Sequence, residues 1–345
     1  MSKYRSKFLL GALLCLMSRV LFAQSNVTLY GQVDAWVGAQ AGPGQAHAWV
    51  QGGGGMSTSY WGMKGSEALG AGTKTVFTLE SFFRPESGAE GSFNGEAFFA
   101  RSANVGLSND RYGQILIGRI VSPYFVSAVL FNPFIDSYTF SPTVMQTYLG
   151  LAGQGLVGGY GWDNAVMYSS PSFNGLRGNI IYAFGGKPGA AGQNKWGGNL
   201  LYTHGALSAT LAFERMRYSN TPGDLSNIAS SFSAQDDWLL GLSYDFARFK
   251  LYGQYQFIDN QIETGDVRMN GGQLGIAVPL AGGRLLGSYM LTRSTGASRA
   301  RRNTWAAGYD YPLSKLTDVY AAYNADHLSG LSTGSTYGVG IRTRF

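Results

Sequence analysis

Apolar and polar residues alternate along this chain from Val27 to its last residue. In VTLYGQVDAWV, Val27, Leu29, Val33, Ala35 and Val37 share one face, while Thr28, Tyr30, Gln32 and Asp34 share the other. LRGNIIYAF sets Leu176, Ile180, Tyr182 and Phe184 against Arg177 and Asn179. DWLLGLSYDF and FKLYGQYQF, joined only by Ala247 and Arg248, repeat the scheme, with Trp238, Leu240, Leu242, Tyr244, Phe249, Leu251, Tyr255 and Phe257 opposite Ser243, Asp245, Lys250, Gln254 and Gln256. The closing TYGVGIRTRF places Tyr337, Val339, Ile341, Thr343 and Phe345 opposite Arg342 and Arg344. A period of two predicts strands with unlike faces. About 16 such segments can be counted, separated alternately by tight turns and by longer stretches rich in Gly, Ser and Asn.

The polar face decides what solvent it meets. It carries Lys64, Lys74, Glu80, Arg101, Arg177, Lys250, Arg284, Asp310, Arg342 and Arg344, repeatedly in mid-strand. A soluble sandwich also alternates, but its inward face is dry. Charges on one face and hydrophobes on the other suit a closed sheet with a wet interior and a lipid-facing exterior. Trp162, Trp196, Trp238 and Trp305, with Tyr168, Tyr202, Tyr244, Tyr309 and Tyr311, fall near strand ends on the oily face, as two interfacial girdles require. The expectation is an all-β fold: a transmembrane antiparallel β-barrel of about 16 strands, the last closing on the first.

Composition adds an export route. Lys3, Arg5 and Lys7 precede the apolar run Phe8–Met17, and the small Ala23 follows, which predicts a secretory signal peptide over residues 1–23 and a barrel over 24–345. The run is too short for a spanning helix. Removing the leader lowers the basic residues from 26 to 22 against 20 acidic ones, so little supports nucleic-acid binding. It also removes Cys15, the single cysteine, and with it disulfide and thiolate chemistry.

SYWGMKGSEALGAGTKTVFTLES (59–81), ARSANVGLSNDRYGQILIGR (100–119), WAAGYDYPLSKLTDVYAAY (305–323) and GVGIRTRF (338–345) resemble the general diffusion porins of Gram-negative bacteria, of the beta-proteobacterial type. The resemblance runs from Val27 to Phe345. It implies a homotrimer in the cell outer membrane, among outer-membrane lipid and lipopolysaccharide. It further implies passive diffusion of small hydrophilic solutes and ions, with no cofactor and no enzymatic activity. A long third loop folded into each barrel is part of the same pattern. Here that loop would follow Arg119 and run to about Tyr160; it contains FNPFIDSY (131–138). Between Arg119 and Arg177 only Asp136 and Asp163 are charged. By the same resemblance Glu80, Arg101, Arg119 and Asp136 belong to the pore constriction, and Tyr60 stands where the family often has arginine, which weakens any strong anion preference. The other lumen charges are the cations Lys64, Lys74, Arg177, Lys250, Arg284, Arg342 and Arg344, set against the acids Asp34, Glu214, Asp245, Asp310 and Asp318, and with the constriction residues they leave a modest cationic excess that predicts weak anion preference. Phe345, with Tyr337, Val339 and Ile341 at alternate positions, resembles the signal read by the barrel-assembly machinery.

Each of these residues also has a plainer role. Arg101 and Glu80 can form a salt bridge that steadies the wall, and Asp136 can be an Asx-type turn residue. GQGLVG (153–158) fits a dinucleotide fingerprint but lacks the strand before it and the helix after it. GGGG (52–55) is expected at a loop tip. His47 and His327 are placed in outer loops and His204 in a tight turn on the opposite side, too dispersed for a serine–histidine–carboxylate set. No His or Cys falls at metal-ligand spacing. A solute-specific channel is the main alternative, followed by an outer-membrane enzyme or an adhesin.

Overall fold

The structure is a computed structural model that describes residues 26–151, 154–155, 159–186, 188–189, 192–217 and 232–345. The leader and most of GQGLVG lie outside the described residues. The chain opens with β1 (Asn26–Gln40), β2 (Ala48–Gly53), β3 (Tyr60–Gly70), β4 (Thr73–Arg84), β5 (Ala89–Glu90), β6 (Ser102–Asn109) and β7 (Gly113–Val121). Two short helices follow, α1 (Pro123–Leu130) and α2 (Pro142–Tyr148). Then come β8 (Gly161–Ser169), β9 (Leu176–Phe184), β10 (Asn194–His204), β11 (Leu207–Met216), β12 (Phe232–Asp245) and β13 (Lys250–Ile262). The chain finishes with β14 (Val267–Leu280), β15 (Gly283–Gly296), β16 (Arg301–Pro312), β17 (Thr317–Leu328) and β18 (Gly334–Arg344).

Each wall strand pairs antiparallel with its neighbours, and β18 closes on β1 in register from Gln32↔Arg344 to Gln40↔Thr336. The other edge of β1 is shared: Asn26–Gln32 pairs with β3, and Ala35–Gln40 with β2. β2 and β3 are therefore one interrupted wall position, and β5 is a two-residue ribbon on β4 alone, which leaves a closed barrel of 16 strands. Closure satisfies every edge inside a membrane, where no water can.

The turn side is built from tight hairpins. Ala71–Gly72, Asn174–Gly175 and Ala281–Gly282 all take positive φ at both positions, the turn whose twist matches that of the flanking strands. The loop side is less uniform than the sequence suggests. Its last three connections, 263–266, 297–300 and 329–333, are as short as turns, so the long loops are confined to the first part of the chain.

Alternation sorts the two faces as expected. Leu240, Leu274, Ile180, Val339 and Ile341 point outward and are exposed, while Gln254, Gln256, Thr292, Thr304 and Arg342 point inward and are buried. Trp196, Trp238 and Trp305 are exposed on the outer face, but Trp162 is fully buried inside. A register shift between Gly118 and Ile120, with Asn164 at positive φ, inserts one extra residue into β8 and reverses the alternation at its start. His327 belongs to β17 rather than to the loop after it.

Sixteen strands enclose more space than wall side chains can fill. Two apolar clusters occupy part of it. One joins Tyr124 and Ala128 of α1 to Trp162, Ile181, Met216, Leu239, Ile258 and Met269. The other gathers Trp36, Met56, Phe134, Phe140, Leu286 and Tyr320. Both lie between the inner wall and the segment 122–160, loop 3.

Candidate functional site

Loop 3 owes its two helices to a repeated local signal. Ser122 and Ser141 each precede a proline and cap the helix that follows, accepting hydrogen bonds from the Phe125 and Val144 amides at 3.1 and 3.3 Å. α1 lies on inward-facing side chains of β10–β13. Asn199 Nδ2 donates to the Pro123 carbonyl at 2.8 Å, Ser127 and Thr210 share a hydroxyl contact at 2.9 Å, and Gln254 Nε2 donates to the Ala128 carbonyl at 2.8 Å. α2 lies on β13, β15 and β16. Thr147 donates to Gln256 Oε1 at 2.9 Å and Gln146 Nε2 to Thr304 at 2.8 Å; buried Arg302, paired with Asp326 at 2.8 Å, donates to the Leu149 carbonyl at 2.9 Å.

Between the helices, loop 3 meets a second inward segment. Residues 54–59, where the wall position of β2 and β3 is interrupted, dip inward because the Asp34 carboxylate receives the amides of Gly55, Met56 and Ser57 at 3.0, 3.0 and 2.9 Å, together with the Tyr320 hydroxyl. A Cβ on Gly55 would lie 2.0 Å from the Tyr320 oxygen, so only glycine fits there. GGGG is thus an inner-wall element and not a loop tip. Ser137 donates to the Gly55 carbonyl at 2.6 Å, Thr139 to the Gly54 carbonyl at 3.0 Å, and Ser57 to Asp136 Oδ2 at 2.9 Å. Burial pushes the Asp136 carboxyl above the usual carboxylate range, opposed by the Ser57 hydrogen bond and the charge of Arg101.

Four of the expected constriction residues come together. Arg101 pairs with Glu80, and its guanidinium lies 4.0 Å from the centre of the Tyr60 ring. Tyr30 donates to the other Glu80 oxygen at 2.6 Å, and Lys64 stands over the Tyr30 ring at 4.6 Å. Asp136 faces this group from loop 3, its charge acting on both Arg101 and Tyr60. Tyr60 does not leave a gap where an arginine is expected; its ring face takes up the guanidinium of Arg101. Arg119 is held elsewhere, at the root of loop 3, by Asp163 at 2.6 Å and the Ala100 carbonyl.

The remaining lumen cations cluster toward the turn side. Arg284 pairs with Asp310 at 2.7 Å, and Arg342 and Arg344 both hold Asp318, at 2.8 and 3.0 Å. Lys64, Lys74, Arg177 and Lys250 make no ion pair among the described residues. Lys64 and Lys74 are exposed on the inner face of β3 and β4, the side of the barrel opposite both helices of loop 3.

Some features carried little sequence signal. An aromatic run on loop 3 links Tyr138, Tyr148, Phe125 and Tyr160 at ring separations of 6.3, 5.2 and 5.5 Å, and reaches Phe82 of β4 at 5.6 Å. Behind α1, fully buried Glu214 and Asp237 face each other across β11 and β12. Among the described residues, His47 and His327 bond to the hydroxyls of Ser335 and Thr333 and make no ion pair with a carboxylate.

A family model described as Gram-negative porin matches residues 11–331. The chain belongs to the Gram-negative porin family. This porin is 31% identical to outer membrane porin protein 32 of Delftia acidovorans over 319 residues, covering 88% of this chain and 84% of the relative. It is 28% identical over 408 residues to an outer membrane porin protein of Bordetella pertussis, covering 99% of this chain and 100% of the relative. Among solved structures, it is similar to the anion-selective porin from Comamonas acidovorans, with a TM-score of 0.77 and 26% identity over 93% of this chain and all of the other. The porin resides in the outer membrane.

Proposed function

We propose that this porin conducts small hydrophilic solutes by passive diffusion with weak preference for anions, as a homotrimer formed after removal of residues 1–23. The observation that carries the selectivity is the inventory of lumen charges. At the narrow point Arg101 and Glu80 offset each other, whereas on the turn side four cations, Lys64, Lys74, Arg177 and Lys250, and one acid, Asp245, make no ion pair among the described residues. Fixed charges along a channel bias which ions enter it. Salt screens them beyond about 8 Å at physiological strength, so a wide vestibule yields a small bias. The likeness to an anion-selective porin supports the same sign.

Glu80, Arg101, Tyr60 and Asp136 form the constriction in this reading, and Arg119 steadies the root of loop 3. Reversal potentials in a potassium chloride gradient test it. Anions should permeate a few-fold better than cations, and Lys64→Gln with Lys74→Gln should bring the ratio toward unity. A cation-selective parent channel would refute the proposal. Saturation of the current by one solute would favour a dedicated pore.

A further inference from the structure

On the outer surface, near the loop-side ends of β11–β14, charges are matched across strands. Arg215 is the register partner of Asp236 and pairs with it at 2.6 Å; Asp236 neighbours Asp259, whose partner Arg268 lies 3.3 Å away. Each arginine in that row meets an acid.

The row ends differently on β15 and β16. Arg293 and Arg301 are direct register partners, and both are exposed on the outer face, because Thr292, Ser294 and Arg302 beside them point inward. Neither makes an ion pair among the described residues, and Arg299, exposed in the connection between the two strands, makes none either. Asp326, on β17 beside them, holds Arg302 inside the barrel, and Asp266, in the connection before β14, lies 3.9 Å from Arg268. Like charges directly opposite one another destabilise a sheet unless a counter-charge bridges them.

Height on the barrel identifies the counter-charge. On the same two strands Tyr289 pairs with Trp305, both exposed, and these rings mark the level where hydrocarbon gives way to headgroups. The arginines are four residues further toward the loops. At about 3.4 Å per residue and a strand tilt of roughly 40°, that is about 10 Å above the rings. The zone holds lipid headgroups rather than acyl chains or bulk water. Long loops face the outside in such barrels, so the leaflet is the outer one.

We propose that Arg293 and Arg301, with Arg299 above them, bind a phosphate of the glucosamine headgroup of lipopolysaccharide. Two guanidinium forks on adjacent strands offer parallel donors to one phosphate, the geometry in which arginine surpasses lysine. The site rests on the outer-membrane placement of the barrel but not on its ion selectivity.

The test is binding of purified deep-rough lipopolysaccharide to the detergent-solubilised porin, followed by native mass spectrometry. Parallel arms use the same lipid stripped of its headgroup phosphates, and inorganic phosphate alone. The double variant Arg293→Gln, Arg301→Gln should bind the intact lipid roughly tenfold more weakly, the scale of one lost charge-assisted hydrogen bond. Arg215→Gln should stay within about twofold of the parent, since its site already has an acid. The parent should lose affinity when the lipid phosphates are removed, an arm that needs no variant. Equal binding of intact and stripped lipid would overturn the proposal, as would competition by millimolar inorganic phosphate. A double variant with unchanged lipid affinity but altered oligomeric state would overturn it in favour of a protomer contact. Conductance of the same preparations separates loss of this site from failure of the channel.

Discussion

Ser57 donates its hydroxyl to Asp136 at 2.9 Å and so joins two positions 79 residues apart, one in the inward dip of residues 54–59, loop 1, and one in the middle of loop 3. The dip exists because Asp34 gathers three consecutive amides and the Tyr320 hydroxyl. Asp34→Asn leaves a single acceptor oxygen for four donors. Each lost charge-assisted bond is worth about 1.5–3 kcal/mol. Single-channel recordings should show a larger, noisier conductance from a barrel that still assembles. Gly55→Ala should act in the same direction, because the added Cβ collides with Tyr320. Parental conductance in both variants would mean that loop 1 does not support loop 3.

Acid should strengthen anion preference. Burial raises the pKa of Asp136, so this carboxylate takes up its proton at a higher pH than an exposed aspartate. Above that pKa it contributes a negative charge beside Arg101; below it the charge is gone. As pH falls, reversal potentials should start to move toward the anion limit at a higher pH than titration of an exposed aspartate would allow. Asp136→Asn should show the shifted value already at neutral pH and lose that early transition. An identical pH profile in the parent and the variant would assign the titration to another group.

Arg101→Ala should move selectivity the opposite way without closing the pore. The substitution removes a cation and leaves Glu80 with Tyr30 as its one hydrogen-bond partner among the described residues, so the local balance becomes negative. The reversal potential should shift toward cations while conductance changes little. Tyr60→Arg should oppose it, adding a cation next to Glu80. Absence of any shift in Arg101→Ala would place the narrow point elsewhere.

Deleting Phe345 should lower the yield of assembled barrel. Its amide and carbonyl exchange hydrogen bonds with Gly31 at 3.1 Å each, so the last residue seals the seam between the first and last strands. Gels that separate folded from heat-unfolded protein would show the loss. Equal amounts of folded species would count against a role in assembly.

The barrel was legible because a strand between two solvents must alternate, and runs such as Trp238, Leu240 and Leu242 against Ser243 and Gln254 leave no other pairing of faces. Trp162 was misassigned for a physical reason: a bulge at Arg119–Asn164 reverses the alternation, and nothing in composition marks where extra residues enter a ladder. Tyr60, Glu80 and Arg101 could be placed because each stands on a regular strand or next to one. The part of the site that escaped was tertiary. Asp34 looked like one more lumen carboxylate, yet its partners come from a break between β2 and β3 that no local pattern announces. Arg284, Arg342 and Arg344 read as lumen cations from the alternation, but their neutralisation by Asp310 and Asp318 depends on register, which a list of residues does not contain.

Loop 3 carpets the wall from β9 round to β17, with two carboxylates and a layer of methionine, leucine and isoleucine sealed beneath it. A permeating molecule therefore meets an asymmetric corridor, with tyrosines and phenylalanines of the loop along one bank and ions along the other. A dipolar solute that tumbles there exchanges favourable neighbours for poor ones, so the corridor is expected to discriminate by how a molecule is turned as well as by its charge.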